Sequence, residues 1–192
     1  MKLVLFGGVQ GIGKSTLLSW LENEFAGKIT LVNPGELFRH YFYEEKLKTI
    51  EEIEELVVST LEEMPDDAVA VAHWHYAVRR PEGYIPQIDF SKLERLARSG
   101  KIKEIVLVLV EAPVDVIIER RTKDCESKKR AFPRPVILEE MDTEQKFLAQ
   151  HQVLFAKVLG NHNITVFRVY NVNLEEAKKL LGNLFQTLIG CP

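Results

Sequence analysis

Short apolar runs along the chain alternate with longer segments in which apolar residues recur every three or four positions. Such runs are typical of β-strands, and the recurring positions are typical of amphipathic helices. Strands are predicted over residues 2–6, 29–32, 68–72, 105–110 and 164–169. Helices are predicted over residues 14–25, 36–45, 50–64, 89–99, 113–123 and 174–188, with a further long helix after residue 134. This alternation predicts an α/β fold whose mostly parallel sheet is covered by helices on both faces.

Two segments depart from this pattern. Residues 76–88 are rich in Arg, Pro and Gly and are predicted to form a loop. Residues 124–134 are polar and basic and have no periodic apolar positions. In the long helix that follows, the stripe predicted to be buried comprises Leu138, Met141, Leu148, Phe155 and Leu159. There is no internal repeat or interdomain linker, so a single domain is predicted over residues 1–192.

The segment after the first predicted strand has the G-x-x-x-x-G-K-S pattern of a phosphate-binding loop, or P-loop. It reads Gly8-Val9-Gln10-Gly11-Ile12-Gly13-Lys14-Ser15 and leads directly into a predicted helix. Backbone N–H groups in such a loop converge on an anion, and the helix N-terminus adds a positive partial charge. We therefore predict that Lys14 reaches the β- and γ-phosphates of a nucleotide and that the Ser15 hydroxyl binds Mg²⁺. The predicted nucleotide-binding residues are Gly8, Gly11, Ile12, Gly13, Lys14, Ser15 and Thr16.

Composition narrows the class of protein further. The chain has 192 residues, of which 46% are hydrophobic, enough for one α/β domain with a sizeable core. The net charge of −3 does not indicate a nucleic-acid surface, and there is no apolar stretch long enough to cross a bilayer. The two cysteines, Cys125 and Cys191, form no metal or redox motif, which favours a reducing cytoplasm.

Three further segments point to one family of P-loop proteins. Residues 35–39, Gly-Glu-Leu-Phe-Arg, resemble the G-D-x-L-R segment of adenylate kinases. Residues 79–86, Arg-Arg-Pro-Glu-Gly-Tyr-Ile-Pro, resemble the K-T-P-x-G-Y-L-P segment of archaeal-type adenylate kinases. Residues 119–121, Glu-Arg-Arg, resemble the arginine pair that opens the lid of nucleoside monophosphate kinases. Because the segments follow one another in family order across nearly the whole chain, the chain resembles an archaeal-type adenylate kinase.

The resemblance implies a P-loop fold with a five-stranded parallel sheet of order 2-3-1-4-5 and a small lid. It also implies ATP and Mg²⁺ as cofactors and transfer of the γ-phosphoryl group of ATP to a nucleoside monophosphate. The acceptor-nucleotide region would span residues 33–87 and the lid residues 124–134, approximately. Archaeal-type relatives suggest a homo-oligomer, specifically a trimer, although no feature of the sequence establishes it.

Cationic side chains from separate parts of the chain suit this reaction. Two strongly negative phosphate groups must approach each other, and the planar donor fork of arginine binds phosphate well. Lys14 is predicted at the donor, and Arg39 and Arg79 at the acceptor phosphate. The cations predicted to close over the transferred group are Arg120, Arg121, Lys128, Lys129, Arg130 and Arg134. The alternative for each arginine and for the lid lysines is an ordinary solvated surface charge.

The match to the family fails at the end of the third strand. His73 stands where the family has an aspartate that helps to order Mg²⁺, and Mg²⁺ prefers oxygen ligands. Residues 87–89, Gln-Ile-Asp, replace the family's G-L-P, which leaves the preferred acceptor open. The alternative function is therefore a nucleotide-binding switch or weak ATPase that acts through a partner. The His73–His75 pair lacks a third zinc ligand nearby, so histidines lining a cleft are expected, and Trp74 is expected in the core.

Overall fold

A computed structural model describes residues 1–124 and 133–190 of the chain. Within them, the strands are β1 (Lys2–Gly7), β2 (Thr30–Val32), β3 (Val69–His73), β4 (Val78–Arg80), β5 (Gly83–Ile85), β6 (Glu104–Glu111) and β7 (Ile164–Tyr170). The α-helices are α1 (Lys14–Glu24), α2 (Pro34–Phe38), α3 (Ile50–Glu62), α4 (Phe90–Arg98), α5 (Val114–Lys123), α6 (Arg134–Leu159) and α7 (Leu174–Ile189). A π-helical turn covers Arg39–Glu44, and a 3₁₀ turn covers Asn161–Asn163.

Five of the strands form one parallel sheet in the order β2-β3-β1-β6-β7. Counted among themselves in chain order, these strands have the predicted order 2-3-1-4-5, and the predicted fold class is confirmed. Strands β1 and β6 lie in the interior and are buried on both sides, as expected for apolar strands of a parallel sheet. Because the carboxyl ends of parallel strands meet at one edge, the loops after β1, β3 and β6 lie together there.

Helices cover both faces of the sheet and divide the core into two layers. Leu3 and Leu5 of β1 face the layer formed with α3, α4 and α6, whereas Val4 and Phe6 face the layer formed with α1 and α7. Side-chain caps fix several helix starts, among them a full capping box at Thr49 before α3 and the Asn173 cap before α7. None of the helices in residues 1–124 and 133–190 combines the length and apolar character needed to span a bilayer.

The helix predicted over residues 36–45 forms as α2 followed directly by the π-helical turn Arg39–Glu44. Two other local predictions were wrong. The loop predicted over residues 76–88 contains the antiparallel hairpin β4–β5, whose strands have only three residues each. Leu138 is 47% exposed because its neighbour Ile137 takes the buried position at the start of α6. Trp74 lies fully in the core, as predicted.

One buried titratable side chain ties the stability of the fold to pH. His151 of α6 lies among the rings of Trp74, Tyr76 and Phe90, with Nδ1 2.7 Å from the Phe147 carbonyl oxygen. Burial lowers the pKa of His151 from 6.5 to about 4. In the unfolded chain, His151 is therefore protonated below pH 6.5. In the folded chain, it is protonated only below about pH 4.

We expect this difference to destabilise the protein as the pH falls from 6.5 to 4, by about 3 kcal/mol in total. Urea unfolding at several pH values across this window measures the loss. His151→Leu removes this titration and should reduce the slope, although it lowers the stability at neutral pH. The lowered pKa values of His73 and His75 account for the slope that remains. An unchanged slope in this variant would show that other groups cause the acid sensitivity.

Candidate functional site

The P-loop leaves β1 at Gly7 and enters α1 at Lys14, as the sequence predicts. Gly8 has a φ of +137° and Gly13 a φ of +95°, conformations that side-chain-bearing residues rarely adopt. A Cβ at Gly8 would lie 2.6 Å from the Val110 carbonyl oxygen, and one at Gly13 would lie 2.6 Å from Asn171 Nδ2. The two glycines thus let the loop turn tightly against β6 and the segment after β7.

The Lys14 ammonium is held inside the P-loop. The side chain is 4% exposed, and Nζ donates to the carbonyl oxygens of Gly8 and Val9, the second at 3.2 Å. A buried ammonium needs such oxygen partners, because a charge without them is costly to desolvate. Lys14 therefore lies where a polyphosphate cradled by this loop would meet it.

A cavity of about 700 Å³ lies over the loop and the start of α1. We call it the P-loop cavity. Its lining residues are Val9, Gln10, Gly11, Gly13, Lys14, Ser15, Thr16, Arg39, His73, His75, Arg120, Asp124, Asn171 and Leu174. Five of the seven predicted nucleotide-binding residues line it, and Gly8 and Ile12 do not. Ile12 packs into the core instead. Arg39 lies here too, exposed and 3.6 Å from Glu44.

The arginine pair of α5 contacts the P-loop backbone. Arg120 donates to the carbonyl oxygens of Ile12 and Asn171, both at 2.9 Å. Arg121 is 2% exposed and donates to the Gln10 carbonyl oxygen at 2.9 and 3.0 Å, and to the Glu140 carboxylate at 2.5 Å. In the described residues the pair therefore supports the shape of the loop. Asn171 contributes to the same support through its Nδ2, 2.8 Å from the Ile12 carbonyl oxygen.

A second cavity, of about 340 Å³, adjoins the first. We call it the acceptor cavity. It is lined by Val9, Gln10, Gly35, Phe38, Tyr43, His75, Ala77, Val78, Arg79, Arg80, Tyr84, Gln87, Glu140 and Glu144. Arg79 of the β4–β5 hairpin lies here over the Tyr84 ring, and Arg80 lies over the Phe38 ring and bonds the Tyr43 hydroxyl at 3.1 Å. The hairpin that sequence reasoning missed therefore carries two cations into this cavity.

The two cavities share Val9, Gln10 and His75. The His75 ring is fixed from α6, because its Nδ1 lies 3.1 Å from Glu144 Oε1. Glu144 is buried and also accepts the Tyr76 amide at 2.8 Å. From the other side, the His75 amide donates to the Gln87 side-chain oxygen at 2.7 Å. His75 is thus a rigidly held ring at the junction of the two cavities.

Burial and the nearby Lys14 charge keep both histidines of this strand end neutral. Burial, reinforced by Lys14 and His75, lowers the pKa of His73 from 6.5 to about 3. Burial and Lys14 likewise lower the pKa of His75, against the opposing effect of Glu144. The rings stack with centroids 6.3 Å apart. Within residues 1–124 and 133–190, no group of three or more His, Cys, Asp or Glu side chains is arranged to hold a metal ion.

Sequence reasoning found the contiguous part of the site and missed its distant members. The structure brings Lys14, Ser15, Arg39 and Arg120 to one cavity and Arg79 to the other. Glu144 was missed, because it lies 69 residues from His75 on a helix rich in glutamate. Of the predicted lid, residues 125–132, including Lys128, Lys129 and Arg130, lie outside the described residues.

A P-loop at the carboxyl edge of a parallel sheet, with a second cation-lined cavity beside it, defines a P-loop kinase. A family model described as AAA domain matches residues 7–134. An adenylate kinase of Methanopyrus kandleri is 26% identical over 188 residues, which cover 91% of this chain and 93% of that one. An adenylate kinase of Methanocaldococcus jannaschii is 30% identical over 146 residues, covering 68% and 72% of the two chains.

The chain belongs to this AAA domain family of P-loop kinases, together with archaeal adenylate kinases, and it is a nucleotide phosphotransferase. The predicted resemblance is thereby confirmed. A solved shikimate kinase of Aquifex aeolicus is 17% identical and superposes with a TM-score of 0.46 over 99% of both chains.

Proposed function

We propose that the protein transfers the γ-phosphoryl group of ATP to a nucleoside monophosphate in the presence of Mg²⁺, as an adenylate kinase does. The observation that carries this proposal is the pair of adjoining cavities, which share Val9, Gln10 and His75. A donor phosphate over Lys14 and an acceptor phosphate beside Arg79 would then meet at the junction. The names of the archaeal relatives support adenylate as the first acceptor to test.

On the donor side, the residues present suit a polyphosphate. The glycine turns leave backbone N–H groups free of side-chain cover, and Lys14 supplies a fixed positive charge. The oxygen ligands that Mg²⁺ prefers are available, because the Ser15 hydroxyl and the Asp124 carboxylate line the same cavity. Ser15 would hold the ion together with phosphate oxygens, and the ion would neutralise charge on the transferred group. His73 offers nitrogen and is a poor ligand for Mg²⁺.

On the acceptor side, the chemistry is mainly positioning. A monophosphate is already anionic near neutral pH, so this transfer needs no strong base in the protein. Arg79 and Arg80 would bind the acceptor phosphate, and the Phe38 and Tyr84 rings would contact the nucleoside. Arg39 lies at the P-loop cavity and would neutralise charge between the two phosphates.

Several other predictions stay proposals. Arg120 and Arg121 are proposed to act with the lid over residues 124–134, in addition to the support that they give the loop. The single domain over residues 1–192, the acceptor region over residues 33–87, the cytoplasmic location and the homo-oligomer, a trimer by resemblance, also stay predictions. No nucleic-acid or membrane partner is part of the proposed function.

A panel of monophosphates tests the proposed function. The purified protein is incubated with ATP, Mg²⁺ and one of AMP, GMP, CMP, UMP or the deoxynucleotides at a time, and diphosphates are separated and quantified. We expect ADP formation from AMP to be the fastest. ADP released by hydrolysis of ATP does not count as transfer, so consumption of the monophosphate is followed as well; if no monophosphate is consumed, the proposed function is wrong.

Arg79→Ala should raise the KM for the accepted monophosphate by about 10- to 100-fold, because it removes a charged contact worth roughly 1.5–3 kcal/mol. The KM for ATP should change much less, since Arg79 does not line the P-loop cavity. Initial rates with each substrate varied in turn measure both constants. Arg98→Ala is the matched control, because Arg98 is exposed, pairs with Glu94 of its own helix and lines neither cavity. Equal effects on the two KM values would contradict a specific role at the acceptor.

A further inference from the structure

The proposed transfer does not use the His75–Glu144 pair at the junction of the two cavities. A monophosphate acceptor has no proton that must be removed, yet an imidazole paired with a buried carboxylate lies where donor and acceptor would meet. Such a pair is the usual means of activating an O–H group, because the carboxylate fixes the tautomer and orientation of the ring and stabilises its protonated form. The pair therefore suits a nucleophile that carries a proton.

The hydrogen bonds around Glu144 determine which ring nitrogen carries the hydrogen. Its Oε2 accepts the Tyr76 amide at 2.8 Å, and its Oε1 faces His75 Nδ1 at 3.1 Å. A carboxylate only accepts, so His75 donates from Nδ1 and keeps a lone pair on Nε2. Within residues 1–124 and 133–190, that Nε2 has no hydrogen-bond partner, and 21% of the side chain stays exposed at the junction.

We propose that the protein has a second activity at the same junction, the hydrolysis of ATP, with His75 as the general base and Glu144 as its positioning residue. The inference rests on the part of the proposed function that places ATP over the P-loop. The acceptor cavity, at about 340 Å³, is large enough for several waters when no monophosphate fills it. A water at the junction would lie between His75 and the γ-phosphate of ATP bound over the P-loop.

In this step the water oxygen forms a bond to the γ-phosphorus, and its proton passes to His75 Nε2. The bond between the γ-phosphorus and the β–γ bridging oxygen breaks, and its electron pair leaves with ADP. The products are ADP and inorganic phosphate, and His75 returns its proton to solvent. Neutral imidazole is the form required, and burial together with the Lys14 charge favours that form.

The first test compares two activities of the full chain. Phosphate release from ATP and Mg²⁺ is measured without a monophosphate, and diphosphate formation is measured with the best acceptor of the panel. His75→Ala should lower hydrolysis by roughly 10²-fold, the usual contribution of a general base. The ratio of hydrolysis to transfer should fall at least about tenfold, because transfer needs no base. His162→Gln, at an exposed histidine remote from both cavities, should change neither activity.

Added imidazole separates a missing base from a damaged fold. It should restore the hydrolysis of His75→Ala at least about fivefold, since a free base can enter the space left by the ring. Glu144→Gln keeps an oxygen for the Tyr76 amide and loses the charge beside His75, so it should lower kcat for hydrolysis and leave the KM for ATP nearly unchanged. In the His75→Ala background, Glu144→Gln should have little further effect, because Glu144 acts through His75.

Spectra of the free protein supply a readout that involves no turnover. Long-range ¹H–¹⁵N correlation should show His75 with its hydrogen on Nδ1, and Glu144→Gln should change this pattern. Equal losses of hydrolysis and transfer in His75→Ala, or no rescue by imidazole, would overturn the proposal. A wild-type protein that transfers phosphate without hydrolysing ATP would also overturn it and leave the proposed function intact. Hydrolysis that depends on His75 without transfer to any monophosphate would support it and contradict the proposed acceptor.

Discussion

Lys14→Ala is expected to lower phosphoryl transfer by about 10²- to 10³-fold or more, the range seen when one preorganised charge or donor at the transition state is removed. Lys14 is the fixed cation inside the P-loop. In the proposed reaction, negative charge on the transferred group and the leaving oxygen would grow near it. Initial rates with ATP and the best monophosphate measure the loss. The KM for ATP should also rise, because the same charge attracts the polyphosphate in the ground state.

Lys179→Ala is the matched control, since Lys179 is an exposed lysine on α7 and does not line either cavity. It should retain the wild-type rate. Thermal unfolding of Lys14→Ala should stay within a few degrees of the wild type, because alanine leaves no buried charge behind. A variant that folds normally and transfers phosphate at the wild-type rate would place the donor phosphates elsewhere on the molecule.

The sheet could be predicted from the sequence because its interior strands are continuous apolar runs. Strand β6, for example, is buried over nearly its whole length and allows no other interpretation of residues 105–110. The β4–β5 hairpin could not be predicted in the same way. Its strands have three residues each and lie at the surface, so neither alternation nor a buried run marks them.

The P-loop could be predicted because all its groups are contiguous in the chain. Backbone amides and Lys14 act together within eight residues, and the glycine spacing records the turn that they need. No such sequence pattern marks the His75–Glu144 pair, because it joins the segment after β3 to α6 across 69 residues. Nothing in the order of amino acids distinguishes Glu144 from the other glutamates of α6, and only the packing of the helix on the sheet selects it.

The roles of the arginines could be predicted from the sequence only in part. Their number and order pointed to phosphate chemistry, but their distribution between the two cavities depends on the fold. Arg39 follows α2 and lies over the P-loop, although the sequence grouped it with Arg79. Arg121 is buried against the Gln10 carbonyl and Glu140, contacts that no spacing rule foresees. Sequence therefore predicted which residue types bind phosphate and left open which phosphate each one meets.

Gly8→Ala should destabilise the fold by about 3 kcal/mol or more, through backbone strain and overpacking together. Its φ of +137° is a conformation that alanine strongly disfavours, and the new Cβ would lie 2.6 Å from the Val110 carbonyl oxygen. That oxygen belongs to β6, which is held on both sides by β1 and β7 and cannot move away. Urea unfolding measures the loss, and ATP binding should weaken in parallel because the loop must shift.

Gly27→Ala separates the contact at Gly8 from the effect of a positive φ alone. Gly27 has a φ of +72° and no heavy atom within 4 Å of a built Cβ, so its replacement should cost only about 1–2 kcal/mol and leave ATP binding unchanged. If both variants lose the same stability and both bind ATP normally, the P-loop has room for a side chain at Gly8. In that case the tight packing of the loop against β6 would not determine the shape of the nucleotide site.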